Sequence, residues 1–159
     1  YPIGIHPSYG SHQDRAILNQ EIKTLCDVIQ KPVTRSRQHF IKFSLPETYQ
    51  HLITAGIEED YSMGYAALNG FRASTSLPFL WYDLSIEETT QLRIHPFAFM
   101  DATSVFYLNH NPEELMKEWK RIYHLIKKVN GNFVSIWHNF ILSKGSAILM
   151  VYKDALEFV

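Results

Sequence analysis

The segment Asn111–Asn139, NPEELMKEWKRIYHLIKKVNGNFVSIWHN, has the sequence pattern of a helix followed by a strand. Asn111 can cap a helix whose first turn holds Pro112, and the apolar residues that follow recur with a helical period up to a glycine turn. The short, largely apolar run Phe133–Trp137 then predicts a strand that ends at His138. The segment is therefore a helix–strand unit of an α/β fold.

The same alternation of helix and strand runs through the rest of the chain. Further helices are predicted over Asp14–Gln30, from about Pro46 to Gly56, and from about Ser146 to Phe158. Further strands are predicted at Ile3–Ile5, Val33–Arg35, Ile57–Glu59 and Leu92–His95. Such alternation predicts right-handed βαβ units around a parallel sheet. The stretch Asp60–Thr90 breaks the rhythm and is predicted to form a long loop or hairpin region.

Length and composition indicate a single globular domain over residues 1–159. The chain is 46% hydrophobic and 19% charged, and its 15 Lys and Arg nearly balance its 16 Asp and Glu. Without a strong net charge or a long apolar stretch, we expect neither nucleic acid nor a membrane as a partner, and we expect a cytoplasmic location. The lone Cys26 excludes an internal disulfide framework and a cysteine-based zinc site.

Each predicted strand ends in a residue that can carry chemistry. These residues are His6, Arg37, Asp60, His95 and His138. Any one of them alone would be read as a core or capping residue, but five at equivalent positions are harder to explain that way. In parallel α/β folds the strand ends gather at one rim, where imidazoles and carboxylates suit divalent metal binding or acid–base chemistry. We predict that the five side chains share a rim and face a single cavity.

Around these residues the sequence resembles the polysaccharide deacetylase family, carbohydrate esterase family 4, and within it a bacterial branch. The resemblance extends from His6 to Asn139 and depends on the order and spacing of six short segments. They are His6-Pro7-Ser8-Tyr9, Ser36-Arg37-Gln38-His39-Phe40, Glu59-Asp60-Tyr61-Ser62-Met63-Gly64-Tyr65, Gly70-Phe71-Arg72-Ala73, Ile94-His95-Pro96-Phe97 and Trp137-His138-Asn139. The resemblance implies an irregular (β/α) barrel that removes acetyl groups from N-acetylated sugars by metal-assisted hydrolysis.

The resemblance also assigns roles to individual residues. His6 would ligate a divalent metal, for which zinc is the first choice, and Arg37 would orient the catalytic carboxylate. Asp60 matches the family's fourth motif, and His138 would protonate the leaving amine. The expected contacts with the carbohydrate substrate are Tyr9, Arg72 and Trp137; for Arg72 a structural salt bridge is an equal alternative.

Two parts of the family pattern are missing. Gly10 stands where the family has its second metal-ligating histidine, and no aspartate has an aspartate neighbour. Because the chain opens at what would be the second or third strand, we expect the aspartate pair to precede Tyr1. The predicted fold is therefore an incomplete (β/α) barrel of the glycoside hydrolase/deacetylase type that lacks its first strand or strands. This segment alone should be inactive, and its open parallel edge should favour association into an oligomer.

Two other functions remain open at this point. The chain could belong to a non-catalytic member of the fold that binds glycan or supports a partner domain. It could also belong to a barrel hydrolase of another C–N amide bond, such as that of a cyclic or ureide substrate, because one fold hosts many chemistries. An adjacent aspartate pair upstream would favour the deacetylase, and its absence would favour the binding module.

Overall fold

The computed structural model describes residues 2–159, which fold as two compact units. The first unit joins the N-terminal segment through Met63 to Pro78–His95, and the second joins Gly64–Leu77 to Pro96–Val159. Tyr1, which precedes the first predicted strand, lies outside the described residues. The single domain predicted over residues 1–159 stays a prediction.

The first unit contains a four-stranded sheet and two helices. Its elements are α1 (Arg15–Ile29), β1 (Arg35–Ser36), a 3₁₀ turn (His39–Ile41), α2 (Glu47–Thr54), β2 (Glu59–Asp60), β3 (Phe79–Asp83) and β4 (Glu88–Ile94). The strand order is β1-β2-β4-β3; the first three strands are parallel, and β3 pairs antiparallel with β4 as a hairpin. Ile5 extends the parallel part through a bridge to Ser36.

The helices of the first unit cover the sheet with apolar side chains. Asp14 caps α1 by accepting hydrogen bonds from the N–H groups of the first turn. The apolar side of α1 faces the core. The buried core contributed by α1, α2 and the strands consists of Ile5, Leu18, Ile22, Val33, Tyr49, Leu52, Ile57, Trp81, Leu92 and Ile94. This packing fixes the strands whose ends carry the polar residues described below.

The second unit contains a two-stranded parallel sheet. Its elements are β5 (Phe99–Met100), a π-helix (Thr103–Tyr107), α3 (Pro112–Lys128), β6 (Ser135–Ile136) and α4 (Ala147–Phe158). Asn111 and Glu114 form a capping box at the start of α3, and Ser146 caps α4. A buried cluster centred on Trp119 and Phe99 holds α3 and α4 together with the strands.

The four predicted helices are confirmed to within a few residues, and the parallel pairing is confirmed for β1, β2 and β4 and for β5 with β6. β1, β2 and β6 are shorter than predicted or displaced by one or two residues, whereas β4 begins four residues before the predicted strand Leu92–His95. The strand predicted at Ile3–Ile5 is reduced to the bridge at Ile5, and neither β5 nor the π-helix was predicted. The hairpin expected within Asp60–Thr90 corresponds to β3 and the start of β4. The result is a mixed α/β fold, and these sheets do not establish an incomplete barrel. Within residues 2–159 no helix has the length and apolar character needed to cross a membrane.

Candidate functional site

The parallel strands of the first unit bring the residues after their ends into one row. The backbone N–H of Arg37 donates to the carbonyl of Ile5 over 2.9 Å, that of Tyr61 donates to Ser36 over 2.9 Å, and that of His95 donates to Asp60 over 2.8 Å. His6 continues the row, because its Nδ1 lies 2.7 Å from the carbonyl oxygen of Arg37. The structure therefore places His6, Arg37 and His95 along one edge, with Tyr61 between the last two.

A network of charged and aromatic side chains lies along this edge. The Tyr61 hydroxyl donates to Glu59 over 2.7 Å, and the Nε of Arg35 donates to the same carboxylate over 2.9 Å. These hydrogen bonds lower the pKa of Glu59, and the one from Arg35 contributes most. The ring of His95 stacks on Tyr61 at 4.4 Å, and burial lowers the pKa of His95 although Glu59 lies 3.6 Å away. At that distance the contact with Glu59 is electrostatic rather than a hydrogen bond.

Arg37 lies beside this network. Its Nε donates to the carbonyl of Tyr61 over 3.2 Å, and its guanidinium carbon lies 5.9 Å from the centre of the Tyr61 ring. Burial lowers the pKa of Arg37, but a guanidinium stays charged at neutral pH. Arg37 is thus a fixed positive charge at the strand edge, and its orienting role toward a catalytic carboxylate stays a prediction.

Asp60 is sealed within the first unit. Its side chain is 0% exposed, and its carboxylate accepts hydrogen bonds from Ser36 Oγ at 2.6 Å, Ser62 Oγ at 2.8 Å, the Ser62 N–H at 2.9 Å and the Tyr49 hydroxyl at 3.3 Å. Burial raises the pKa of Asp60, and these hydrogen bonds act in the opposite direction. Its catalytic role stays a prediction, and these surroundings favour a structural one.

A pair of histidines lies at the end of the row. His39 Nδ1 is 3.0 Å from His6 Nε2, and the ring of His39 packs edge-on against Phe40. Tyr9 lies beside Phe40, is 54% exposed and accepts a hydrogen bond from Lys42 over 2.7 Å. The expected substrate contact Tyr9 and the expected metal ligand His6 therefore belong to one cluster at the edge of the first unit.

In the second unit, Asp101 and His138 form a close pair. Both follow the parallel strands β5 and β6, in which Met100 pairs with Ile136. His138 Nδ1 lies 2.5 Å from Asp101 Oδ1, and the His138 backbone N–H donates to Oδ2 over 2.7 Å. Because a carboxylate can only accept, the imidazole proton lies on Nδ1. Asp101 is 0% exposed, so its side chain is sealed from solvent where it contacts the imidazole.

This arrangement has the geometry of a proton-transfer group. A buried carboxylate that holds Nδ1–H leaves Nε2 of the neutral ring as a base and stabilises the imidazolium after Nε2 takes up a proton. The imidazole is partly exposed, with 29% of its side chain accessible to solvent, so a substrate can reach it. His138 can therefore act as a general acid or base.

Two exposed phenylalanines lie next to His138. The ring of Phe140 is 5.4 Å from that of His138, and Phe106 stacks on Phe140 at 6.4 Å with the planes 14° apart. Phe106 belongs to the π-helix, an irregularity that often marks functional sites. The two side chains are 59% and 62% exposed, which is unusual for phenylalanine. They form an aromatic surface beside the proton-transfer pair.

The remaining predicted substrate contacts, Arg72 and Trp137, lie elsewhere in the second unit. Trp137 packs against Phe99 and Tyr152, and its indole N–H donates to Ser135 Oγ over 3.0 Å. It lines an open pocket of about 550 Å³ bordered by α3 and α4. Arg72 is exposed, and its guanidinium donates to the carbonyl of Gly64 over 3.2 Å. Roles for both residues in substrate binding stay predictions.

The residues that the sequence analysis missed are Asp101, Tyr61 and His39. Asp101 follows a strand of two residues, for which no sequence pattern exists. Tyr61 directly follows Asp60 in the sequence. Because successive side chains of a strand point to opposite faces, Tyr61 lies in the edge row whereas Asp60 is buried. His39 lies in the segment Ser36-Arg37-Gln38-His39-Phe40, in which the resemblance assigns a role only to Arg37.

The comparisons with known proteins support the fold. No family model and no curated protein sequence matches the chain. A solved structure from Mycobacterium smegmatis, described as a "putative polysaccharide deacetylase", is similar with a TM-score of 0.67 over 98% of this chain at 16% sequence identity. The chain spans 55% of the length of that protein. At this identity the likeness shows a deacetylase-like fold and does not extend to activity.

Proposed function

We propose that this chain carries the proton-transfer part of a hydrolase that removes acetyl groups from N-acetylated sugars. The observation that supports the proposal is the Asp101–His138 pair at the ends of two adjacent parallel strands. It is supported further by a fold similar to that of a protein described as a polysaccharide deacetylase.

In amide hydrolysis, water adds to the carbonyl carbon and the C–N bond then breaks. The leaving amine must receive a proton, because an amide anion is too basic to leave. His138 Nε2 would first take up the proton that the attacking water releases and would then pass it to the leaving nitrogen, while Asp101 keeps Nδ1–H in place and stabilises the ring when it is positively charged.

A divalent metal remains part of the proposal, with His6 as a ligand in the first unit. The tautomer of His6 suits that task, because Nδ1–H donates to a backbone carbonyl and Nε2 carries the lone pair. When bound, a metal such as zinc polarises a carbonyl and activates water. Arg37, a fixed cation at the same edge, is proposed to orient an anionic group of the reaction.

Phe106 and Phe140 are proposed to bind the sugar. Exposed aromatic faces suit the apolar face of a pyranose ring, and Phe140 contacts the imidazole itself. The same observation supports the second candidate function, a glycan-binding module without catalysis. The two functions differ in what they require of His138.

The decisive experiment measures acetate release and binding on N-acetylglucosamine oligomers with the intact protein. His138→Ala should lower the rate at least about 100-fold and leave binding in place. Phe140→Ala should weaken binding about two- to tenfold, as expected for the loss of an aromatic contact worth about 0.5–1.5 kcal/mol.

His124→Ala is the matched control, because His124 is an exposed histidine whose Nδ1 donates to the backbone carbonyl of Lys120 and not to a carboxylate. An unchanged rate in His138→Ala would reject the proposed proton donor. Binding without acetate release by the unaltered protein would instead favour the glycan-binding module.

A further inference from the structure

We infer that Asn69 is a positioning residue for the proton-transfer pair, because its side-chain amide holds the backbone on both sides of Asp101. Asn69 belongs to the segment Gly64–Leu77 of the second unit, and the sequence alone suggests no role for it. The inference rests on the proposed function of Asp101 and His138. Its first readout is nevertheless the state of the His138 ring and not acetate release.

The amide of Asn69 makes two hydrogen bonds that bracket Asp101. Its Oδ1 accepts the N–H of Met100 over 3.1 Å, and its Nδ2 donates to Ser104 Oγ over 3.2 Å. Met100 is the last residue of β5 and Ser104 lies in the π-helix, so the two points of attachment lie close together along the chain. A carboxamide carries an acceptor and a donor on one carbon, so a single short side chain can hold both points.

The backbone at Asp101 passes directly from a strand into a helix, and its direction there decides where the carboxylate points. Asp101 must accept from the ring and the N–H of His138 and from the N–H of Ala102 at the same time. A hydrogen bond weakens steeply once its donor angle falls below about 120°, so a rotation of this backbone would break the alignment. Because Asn69 holds the chain on both sides of Asp101, it limits that rotation.

The loop that carries Asn69 is itself fixed to the same strand and the same helix. The N–H of Gly70 donates to the carbonyl of Ala98 over 2.9 Å, and Thr103 Oγ1 donates to the carbonyl of Ala66 over 2.7 Å. Gly70 has a φ of 141°, a backbone conformation that glycine tolerates and other residues rarely adopt, so the shape of this loop depends on glycine directly after Asn69. The amide therefore extends from anchored backbone and can give its two partners a fixed position.

Two buried hydroxyls of the π-helix provide a matched comparison. Ser104 and Thr103 are both 0% exposed and both bind the same loop, but Ser104 contacts the amide of Asn69 whereas Thr103 contacts the carbonyl of Ala66. Loss of either hydroxyl removes one hydrogen bond between the loop and the helix. Only the loss at Ser104 also loosens the amide that accepts the Met100 N–H. A purely structural role of the loop predicts equal effects on the proton-transfer pair, and a positioning role predicts an effect at Ser104 alone.

The test records the ¹⁵N resonances of the His138 ring by NMR in the intact protein and in Asn69→Ala, Ser104→Ala and Thr103→Val, compared in the neutral form of the ring. In the unaltered protein the proton lies on Nδ1, so the two ring nitrogens should be well separated in chemical shift. Asn69→Ala should bring the two resonances closer together, because a loosened carboxylate no longer selects one tautomer. Ser104→Ala should do the same to a smaller extent, and Thr103→Val should leave the resonances unchanged.

Acetate release from N-acetylglucosamine oligomers is the second readout. Asn69→Ala should lower kcat about 10- to 100-fold, since a misplacement of about 1 Å can cost that much, and should change KM by less than about twofold. A folded Asn69→Ala protein with an unchanged ring spectrum would overturn the inference. If that variant does not fold, equal ring spectra for Ser104→Ala and Thr103→Val would overturn it instead. Displaced ring resonances in the variants of a protein that releases no acetate when unaltered would remove the proposed function and retain the positioning of the ring by Asn69.

Discussion

Replacement of Asp101 by asparagine tests whether its carboxylate sets the state of His138. Asp101 is fully buried and accepts three hydrogen bonds, from His138 Nδ1–H, from the His138 N–H at 2.7 Å and from the Ala102 N–H at 2.7 Å. Asparagine has a single acceptor oxygen, so in either orientation of its amide at least one of these donors faces an NH₂ group. The charge that strengthens the bond to the imidazole is also lost.

The magnitude follows from these contacts. A buried donor without an acceptor costs about 1–3 kcal/mol, and exchange of a charged for a neutral acceptor costs about 1 kcal/mol more. We therefore expect Asp101→Asn to lower the free energy of unfolding by about 2–4 kcal/mol, which is roughly 4–16 °C in melting temperature. Because the ring would lose its fixed tautomer, acetate release by the intact protein should fall by about 10²–10⁴.

The matched control is Asp83→Asn in the hairpin of the first unit. Asp83 is also buried and also accepts several hydrogen bonds, from Gln50 Nε2 and from the N–H and Oγ of Ser85, but no imidazole. It should lose stability and keep its activity. Thermal unfolding, acetate release and the ¹⁵N spectrum of the His138 ring are the measurements. An Asp101→Asn protein with full activity and an unchanged ring spectrum would refute the reasoning.

Two further predictions concern Glu59 and Gly64. Hydrogen bonds lower the pKa of Glu59, and the one from Arg35 contributes most. The ionised form of Glu59 therefore stabilises the fold at every pH above the ordinary pKa of about 4.3. This contribution is lost as the pH falls through the lowered pKa of the folded state. Glu59→Gln should lower the free energy of unfolding by about 1 kcal/mol at pH 7, a modest loss because Glu59 and its partner Arg35 are both partly exposed. In urea unfolding, the difference in stability between the variant and the unaltered protein should shrink below about pH 4. A difference independent of pH would contradict this prediction. A β-carbon at Gly64 would lie 2.3 Å from aromatic ring atoms, so Gly64→Ala should lower the free energy of unfolding by about 1–3 kcal/mol, as measured by thermal unfolding. Gly10→Ala should cost less, because the nearest atom to a β-carbon at Gly10 is 3.9 Å away. Equal losses of stability in the two variants would count against the packing argument.

The helices could be predicted because their signals are local. Asp14 and Asn111 are capping residues that act within three positions of themselves, and the apolar stripes that follow need no distant partner to be recognised. The structure confirms the cap predicted at Asn111. For Asp14 and Ser146 the sequence predicts only that a helix begins there, and the structure shows that both residues cap it.

The strands could be predicted only in part, because their pairing is not local. β1, β2, β5 and β6 contain two residues each, which is too short for an alternating pattern. Their bounds are set by parallel partners far along the chain. The consequence is largest at Asp60, which is buried, whereas the next residue, Tyr61, lies in the edge row with Arg37 and His95.

Contacts that depend on irregular backbone could not be predicted at all. His39 meets His6 because a 3₁₀ turn with left-handed residues follows the strand β1, and neither Phe40 nor Ile41 is a residue type that suggests such a conformation. The π-helix that contains Phe106 likewise could not be predicted from the sequence. For these parts of the site, the sequence offered only the types of residue at the strand ends as evidence.

The register of β5 and β6 explains why chemistry can be read from a strand end even when the partner residue is missed. With Met100 opposite Ile136, the next residues outward are Asp101 on one strand and Trp137 on the other. His138 is one step further, which lets its N–H and its ring reach the two oxygens of a single carboxylate. A shift of one residue in this pairing would move the Asp101 side chain to the other face of the sheet and leave the imidazole without its anion. The proton-transfer pair is therefore a property of the strand register, and variants that disturb β5 should impair His138 without touching it.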